Sequence, residues 1–135
     1  MLDKDVKKII VDFLIRELSP SIVYLFGSQA TGHVHKESDY DIAYVSEKTL
    51  SHYERFMIAQ QLASILNKDV DLINLDQAST VFQVQIISNG EVLYCTDEHK
   101  KSLFEMITLK KYAILNEDRK EILDGVSERG QIYEE

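Results

Sequence analysis

The apolar run Ile22, Val23, Leu25 and Phe26 stops at Gly27-Ser28, and ten residues further on the triplet Asp39-Tyr40-Asp41 opens a second run that continues to Val45. A short, nearly continuous apolar run suits a buried strand, and Gly-Ser breaks it sharply. If the strands are neighbours, backbone amides stand on one side and acidic ligands on the other, the arrangement that phosphoryl transfer requires.

Asp-x-Asp alone says little, because Asp3/Asp5, Asp39/Asp41 and Asp69/Asp71 all have that form. The offset from Gly27-Ser28 singles out the second pair. Residues i and i+2 on a strand project to one face, which puts the Asp39 and Asp41 carboxylates about 7 Å apart. Two such charges repel by about 2 kcal/mol at an effective dielectric of 20, so clustered acids are a liability without a cation between them. With Asp71 joining from a third strand, three carboxylates and two Mg²⁺ ions sum to about +1, a charge that attracts a triphosphate. On the other side, the Ser28 hydroxyl and nearby amides can hold phosphate, and Gly27 allows close backbone approach. His33 and His35 in the intervening loop have no further ligand at zinc spacing and read as plain loop residues.

Around this motif, the sequence alternates helix and strand. Val6, Ile9, Ile10, Phe13 and Leu14 recur at helical spacing from residue 3 to about 18, with Pro20 beyond the end. Ser51 and Glu54 have the capping-box spacing and predict a helix to about residue 66. Residues 69–75 read as a third strand. The stretch TVFQVQII is ambiguous: it alternates like a strand and runs into Asn89-Gly90, a hairpin turn, yet Ser79 could cap a helix there that Asn89-Gly90 would end. From about Asp97 to Leu115 or further the pattern predicts a long helix whose apolar residues exceed one stripe, so that it wants two packing surfaces, supplied by the domain or by a partner. Beyond Asn116 the chain is highly charged and reads as a tail prone to fray. The expected fold is α/β or α+β, with a small mixed sheet flanked by helices, in a single domain spanning residues 1–135.

Composition excludes several classes of function. The formal charge of −8, from 15 Lys and Arg against 23 Asp and Glu, makes nucleic acid a poor partner. Lys100-Lys101 and Lys110-Lys111 read as a solvated helix face rather than a polyanion site. No apolar run reaches the ~20 residues of a membrane span and no signal-peptide pattern opens the chain, so the cytoplasm is the expected location. Cys95, the one cysteine, allows no internal disulfide and reads as a buried strand residue.

The run FGSQATGHVHKESDYDIAYV, with KDVDLI downstream, resembles the minimal nucleotidyltransferases (MNT domains) of the DNA polymerase beta superfamily, whose signature is Gly-Ser, ten residues, then Asp-x-Asp. The resemblance implies a nucleotidyltransferase fold with residues 79 to 89 helical. It implies that Asp39, Asp41 and Asp71 are catalytic and hold two Mg²⁺ ions, and that Gly27, Ser28, Asp39 and Asp41 bind the nucleotide. Size and the long C-terminal helix further resemble the antitoxin half of HEPN/MNT toxin-antitoxin pairs, which implies transfer of AMP from ATP to a tyrosine of a partner HEPN-domain ribonuclease. Where many relatives carry Arg after the turn, this chain has Thr31, so that phosphate contact is not carried over. Two alternatives stay open at this level: an antitoxin that only binds its toxin, and a nucleotidyltransferase acting on a small molecule such as an aminoglycoside.

Overall fold

A computed structural model of the chain describes residues 4–27 and 40–128, with side chains as far as 117. Within them the elements run α1 (Lys4–Leu18), β1 (Ile22–Phe26), β2 (Tyr40–Val45), α2 (His52–Leu66), β3 (Val70–Asn74), a 3-10 turn (Leu75–Gln77), α3 (Thr80–Asn89), β4 (Glu91–Cys95) and α4 (Glu98–Glu128). The four strands form one sheet in the order β3-β2-β1-β4. β1 pairs antiparallel with both β2 and β4, whereas β2 and β3 are parallel with α2 as the crossover. This is the expected mixed sheet flanked by helices.

The pleat of the sheet separates two cores. On one face Val23, Leu25, Ile42 and Tyr44 pack with Ile10, Phe13 and Leu14 of α1 and Ile58, Ala59 and Leu62 of α2. On the other, Ile22, Tyr24 and Ala43 meet Leu75, Ile86 of α3 and Phe104 of α4.

Local chemistry explains the boundaries. Ser51 and Glu54 close a capping box at the start of α2, and Asn67, left-handed at φ 56°, ends it. β3 is shorter than the expected 69–75, because the Asn74 side chain accepts from the Asp76 amide and starts the 3-10 turn that carries Leu75 into the core. Residues 80–89 are helical: Ser79 Oγ accepts from the Phe82 amide, and Gly90 N–H donates to the Ile86 carbonyl. Asn89-Gly90 is no hairpin turn, since neither residue has a positive φ. Gly90 is needed there for space, as a Cβ would meet the Ile86 and Leu25 carbonyls at 2.6 and 3.1 Å. Cys95 ends β4 half-buried rather than inside the core.

The domain covers one side of α4. Thr108 is buried and Glu105 accepts from the Tyr24 hydroxyl at 2.8 Å, while Leu103, Met106, Ile107, Leu109 and Ile114 remain exposed. Among the described residues no helix is long and apolar enough to cross a membrane.

Candidate active site

β1 ends in Gly27, whose φ of +80° lies in the left-handed region that favours glycine. The residue before it, Phe26, is the register partner of Asp41 on β2. A Cβ on Gly27 would land on the Asp41 carboxylate, with Asp41 Cγ only 3.0 Å away. Glycine therefore does two things here: it turns the chain, and it brings bare backbone against a carboxylate.

Across the parallel pair, Asp41 is in register with Asp71 of β3. Register partners project from the same face of a sheet, and neighbouring strands lie about 5 Å apart. Two aspartates 30 positions apart in sequence thus stand side by side, Asp41 half-buried and Asp71 exposed. Hydrophobic residues support them from deeper in the same face, where Phe26 meets the Phe82 ring edge-on at 5.6 Å between centroids.

Of the five residues expected at the site, the fold brings Gly27, Asp41 and Asp71 together at one end of the sheet. Ser28 and Asp39 lie outside the described residues, as do Thr31, His33 and His35. Among the described residues no three acidic, His or Cys side chains converge as a metal site.

Sequence reading missed His52 and Arg55, which stand on the first turn of α2. Arg55 Nη2 is 2.8 Å from His52 Nδ1. A guanidinium has only donors, so Nδ1 is the acceptor in this contact. Among the described residues no carboxylate pairs with Arg55. The guanidinium stands beside the Tyr44 hydroxyl, which is buried without a well-formed hydrogen bond. Burial pushes the Tyr44 phenol up from its ordinary pKa, and the Arg55 charge partly opposes this. His52 and Arg55, with Asp71, line two adjoining cavities of about 540 and 450 Å³ between α2 and β3. The signal was present in the sequence: once Ser51 is the N-cap, His52 and Arg55 fall one turn apart on a single face.

Comparison with known proteins places the geometry. Residues 8–99 match the family described as polymerase beta, nucleotidyltransferase. The chain is 40% identical over 115 residues to a protein adenylyltransferase, MntA, of Shewanella oneidensis, covering 84% of this chain and 82% of that protein. It superposes with a TM-score of 0.77 at 37% identity on a chain of a toxin-antitoxin crystal structure with AMP-PNP, covering 90% of this chain and 98% of that one. It also superposes, with a TM-score of 0.76 at 33% identity, on a chain from a complex of tri-AMPylated Shewanella oneidensis HEPN toxin with MNT antitoxin, covering 93% and 99%. By sequence match over most of its length and by fold, this chain belongs to the polymerase beta nucleotidyltransferase family.

Proposed function

We propose that the protein transfers AMP from ATP to a tyrosine hydroxyl of a partner HEPN-domain toxin, and that it serves in the cytoplasm as that toxin's antitoxin. The observation that carries this reading is the meeting of Gly27, Asp41 and Asp71 at one sheet end, in a chain 40% identical to a protein adenylyltransferase. Relatives in complexes with AMP-PNP and with an AMPylated toxin support the nucleotide and the acceptor.

The donor set fits a hard divalent cation: carboxylates on neighbouring strands, in register, with Asp71 open to solvent. Asp39, Asp41 and Asp71 would hold two Mg²⁺ ions, which when bound supply the positive charge that a triphosphate needs in this acidic chain. The chain's own groups do the rest. Gly27 offers backbone without a side chain, and the adjoining Ser28 holds the terminal phosphates. Asp71, at the exposed edge, takes the proton from the acceptor hydroxyl as its oxygen attacks the α-phosphorus in line and pyrophosphate leaves. The exposed apolar face of α4 is the contact surface for the toxin in this reading.

The test is transfer of label from ATP to the partner toxin in the presence of Mg²⁺. Asp41→Asn should lower the rate at least about a hundredfold while leaving toxin binding intact. Transfer that persists after Asp39→Asn plus Asp41→Asn would overturn the assignment.

A further inference from the structure

α2 is apolar on two sides, yet the domain covers only one of them. Ile58, Ala59 and Leu62 pack into the core under the sheet, while Tyr53, Phe56, Met57 and Ile65 are exposed on the outer half of the helix. A helix that is apolar all round is normally buried, so the outer half calls for cover. Two features say what covers it. The first is charge. Residues 56–67 contain no charged side chain, in a chain with a net charge of −8, and Glu54 before them is turned back onto the Ser51 amide. A two-fold axis sets residues near it against their own copies, so two copies of an acidic chain meet with least repulsion on a neutral patch. On α4, by contrast, exposed Lys110 and Lys111 interrupt the outer apolar residues, which suits a different protein with charges of its own. The second feature is shape. Phe56, 57% exposed, stands at the rim of a hollow of about 540 Å³ whose lining includes Ala59, Val70 and Leu72. A knob and a hollow on one patch are what a symmetric contact needs, since each copy must supply both.

We propose that the outer side of α2 is the interface of a homodimer, in which two α2 helices pack about a two-fold axis and each Phe56 enters the other copy's hollow. Tyr53, Phe56, Met57 and the walls of the hollow offer on the order of 500 Å² per copy, so that the pair buries about 1,000 Å², the lower bound for a specific interface. The dimer is therefore weak and forms at micromolar concentration. α2 packs on the face of the sheet opposite the one from which Asp41 and Asp71 project, so association leaves both copies' carboxylates uncovered. The dimer itself does not depend on the transfer reading. Together with that reading, it carries two transfer sites and engages two partner chains at once.

Sedimentation velocity of the whole protein over about 1–300 µM should show monomer passing to dimer as concentration rises. Phe56→Ala removes the knob and should raise the midpoint about tenfold or more, while circular dichroism and the thermal midpoint stay at wild-type values because most of the ring already faces solvent. An independent reading uses disulfide trapping in a Cys95→Ser background. Gln60→Cys, one turn from Phe56 on the same side of α2, should link to its own copy under mild oxidation, whereas Lys110→Cys on α4 should stay unlinked. A protein that is monomeric throughout the range overturns the proposal, and so does a dimer that survives Phe56→Ala or links through Lys110→Cys. A monomeric free protein in which Phe56→Ala weakens toxin binding would instead assign the outer side of α2 to the toxin. Each of these results leaves the transfer reading untouched, since label transfer is measured separately.

Discussion

The two faces of the sheet put the same strands to different uses. Under α1 and α2, the inward residues of β2 are Tyr40, Ile42 and Tyr44, all buried in one continuous core. On the opposite face β2 opens with Asp41, beside Asp71, and contributes only Ala43 as a fully buried residue to a smaller core. A period of two lets one strand anchor the fold with every second side chain and offer chemistry with the next. The face under α1 and α2 can therefore supply stability while the other spends some on placing carboxylates together.

The largest test of that division is Gly27→Ala. A Cβ there collides with the Asp41 carboxylate and forces a side chain into a positive φ, so transfer should fall by about two orders of magnitude or more, with a stability loss of roughly 1–2 kcal/mol. Steady-state rates and denaturant midpoints measure the two effects separately. A variant that keeps full activity would show that the close backbone approach is unimportant.

Leu14→Ala probes the other face. Leu14 is fully buried on α1, and its truncation should cost about 2–5 kcal/mol by urea unfolding. Activity per folded molecule should hardly change. Activity lost in proportion well beyond the unfolded fraction would mean that the two faces are coupled.

The smallest effect belongs to Tyr24, whose hydroxyl donates to Glu105 of α4. Burial, then the bond to Glu105, pushes its pKa above that of a free phenol. The folded state thus holds the proton more tightly than the unfolded state. Its stabilisation is complete below the free phenol value of about 10 and is lost as pH rises above it. Tyr24→Phe should cost about 1 kcal/mol at neutral pH and flatten the decline in stability above pH ~10. An unchanged alkaline slope would assign the decline elsewhere.

Much of the fold was legible because local signals agreed with packing. α1 and α2 have strong periodicity, and the capping box at Ser51 and Glu54 exists as its spacing implied. Residues 79–89 were legible only through the family resemblance, because their alternation and Asn89-Gly90 favour a hairpin. Packing decides against it: Phe82, Ile86 and Ile87 reach the second core together only on a helix, since on a strand Ile86 and Ile87 would point to opposite faces, and Gln83, buried beside them, donates to the Leu75 carbonyl at 2.8 Å. At the site, the offset from Gly27 marked Asp41, but nothing local in Asp69 or Asp71 tells which will neighbour it. Register between parallel strands is set by the crossover and both cores, and it selects Asp71. The place of Arg55 was hidden for a similar reason, since a lone cation on a helix gains meaning only from what the opposite wall of a cleft presents.

β3 is the outer member of the sheet, and its far side has no strand neighbour among the described residues. An open edge with unpaired backbone groups invites another chain to add a strand, the first step towards aggregation. The exposed charge of Asp71 on this edge makes such pairing electrostatically costly. One carboxylate thereby also acts as a gatekeeper of solubility, and neutralising it to silence chemistry removes that guard from the flank of the protein.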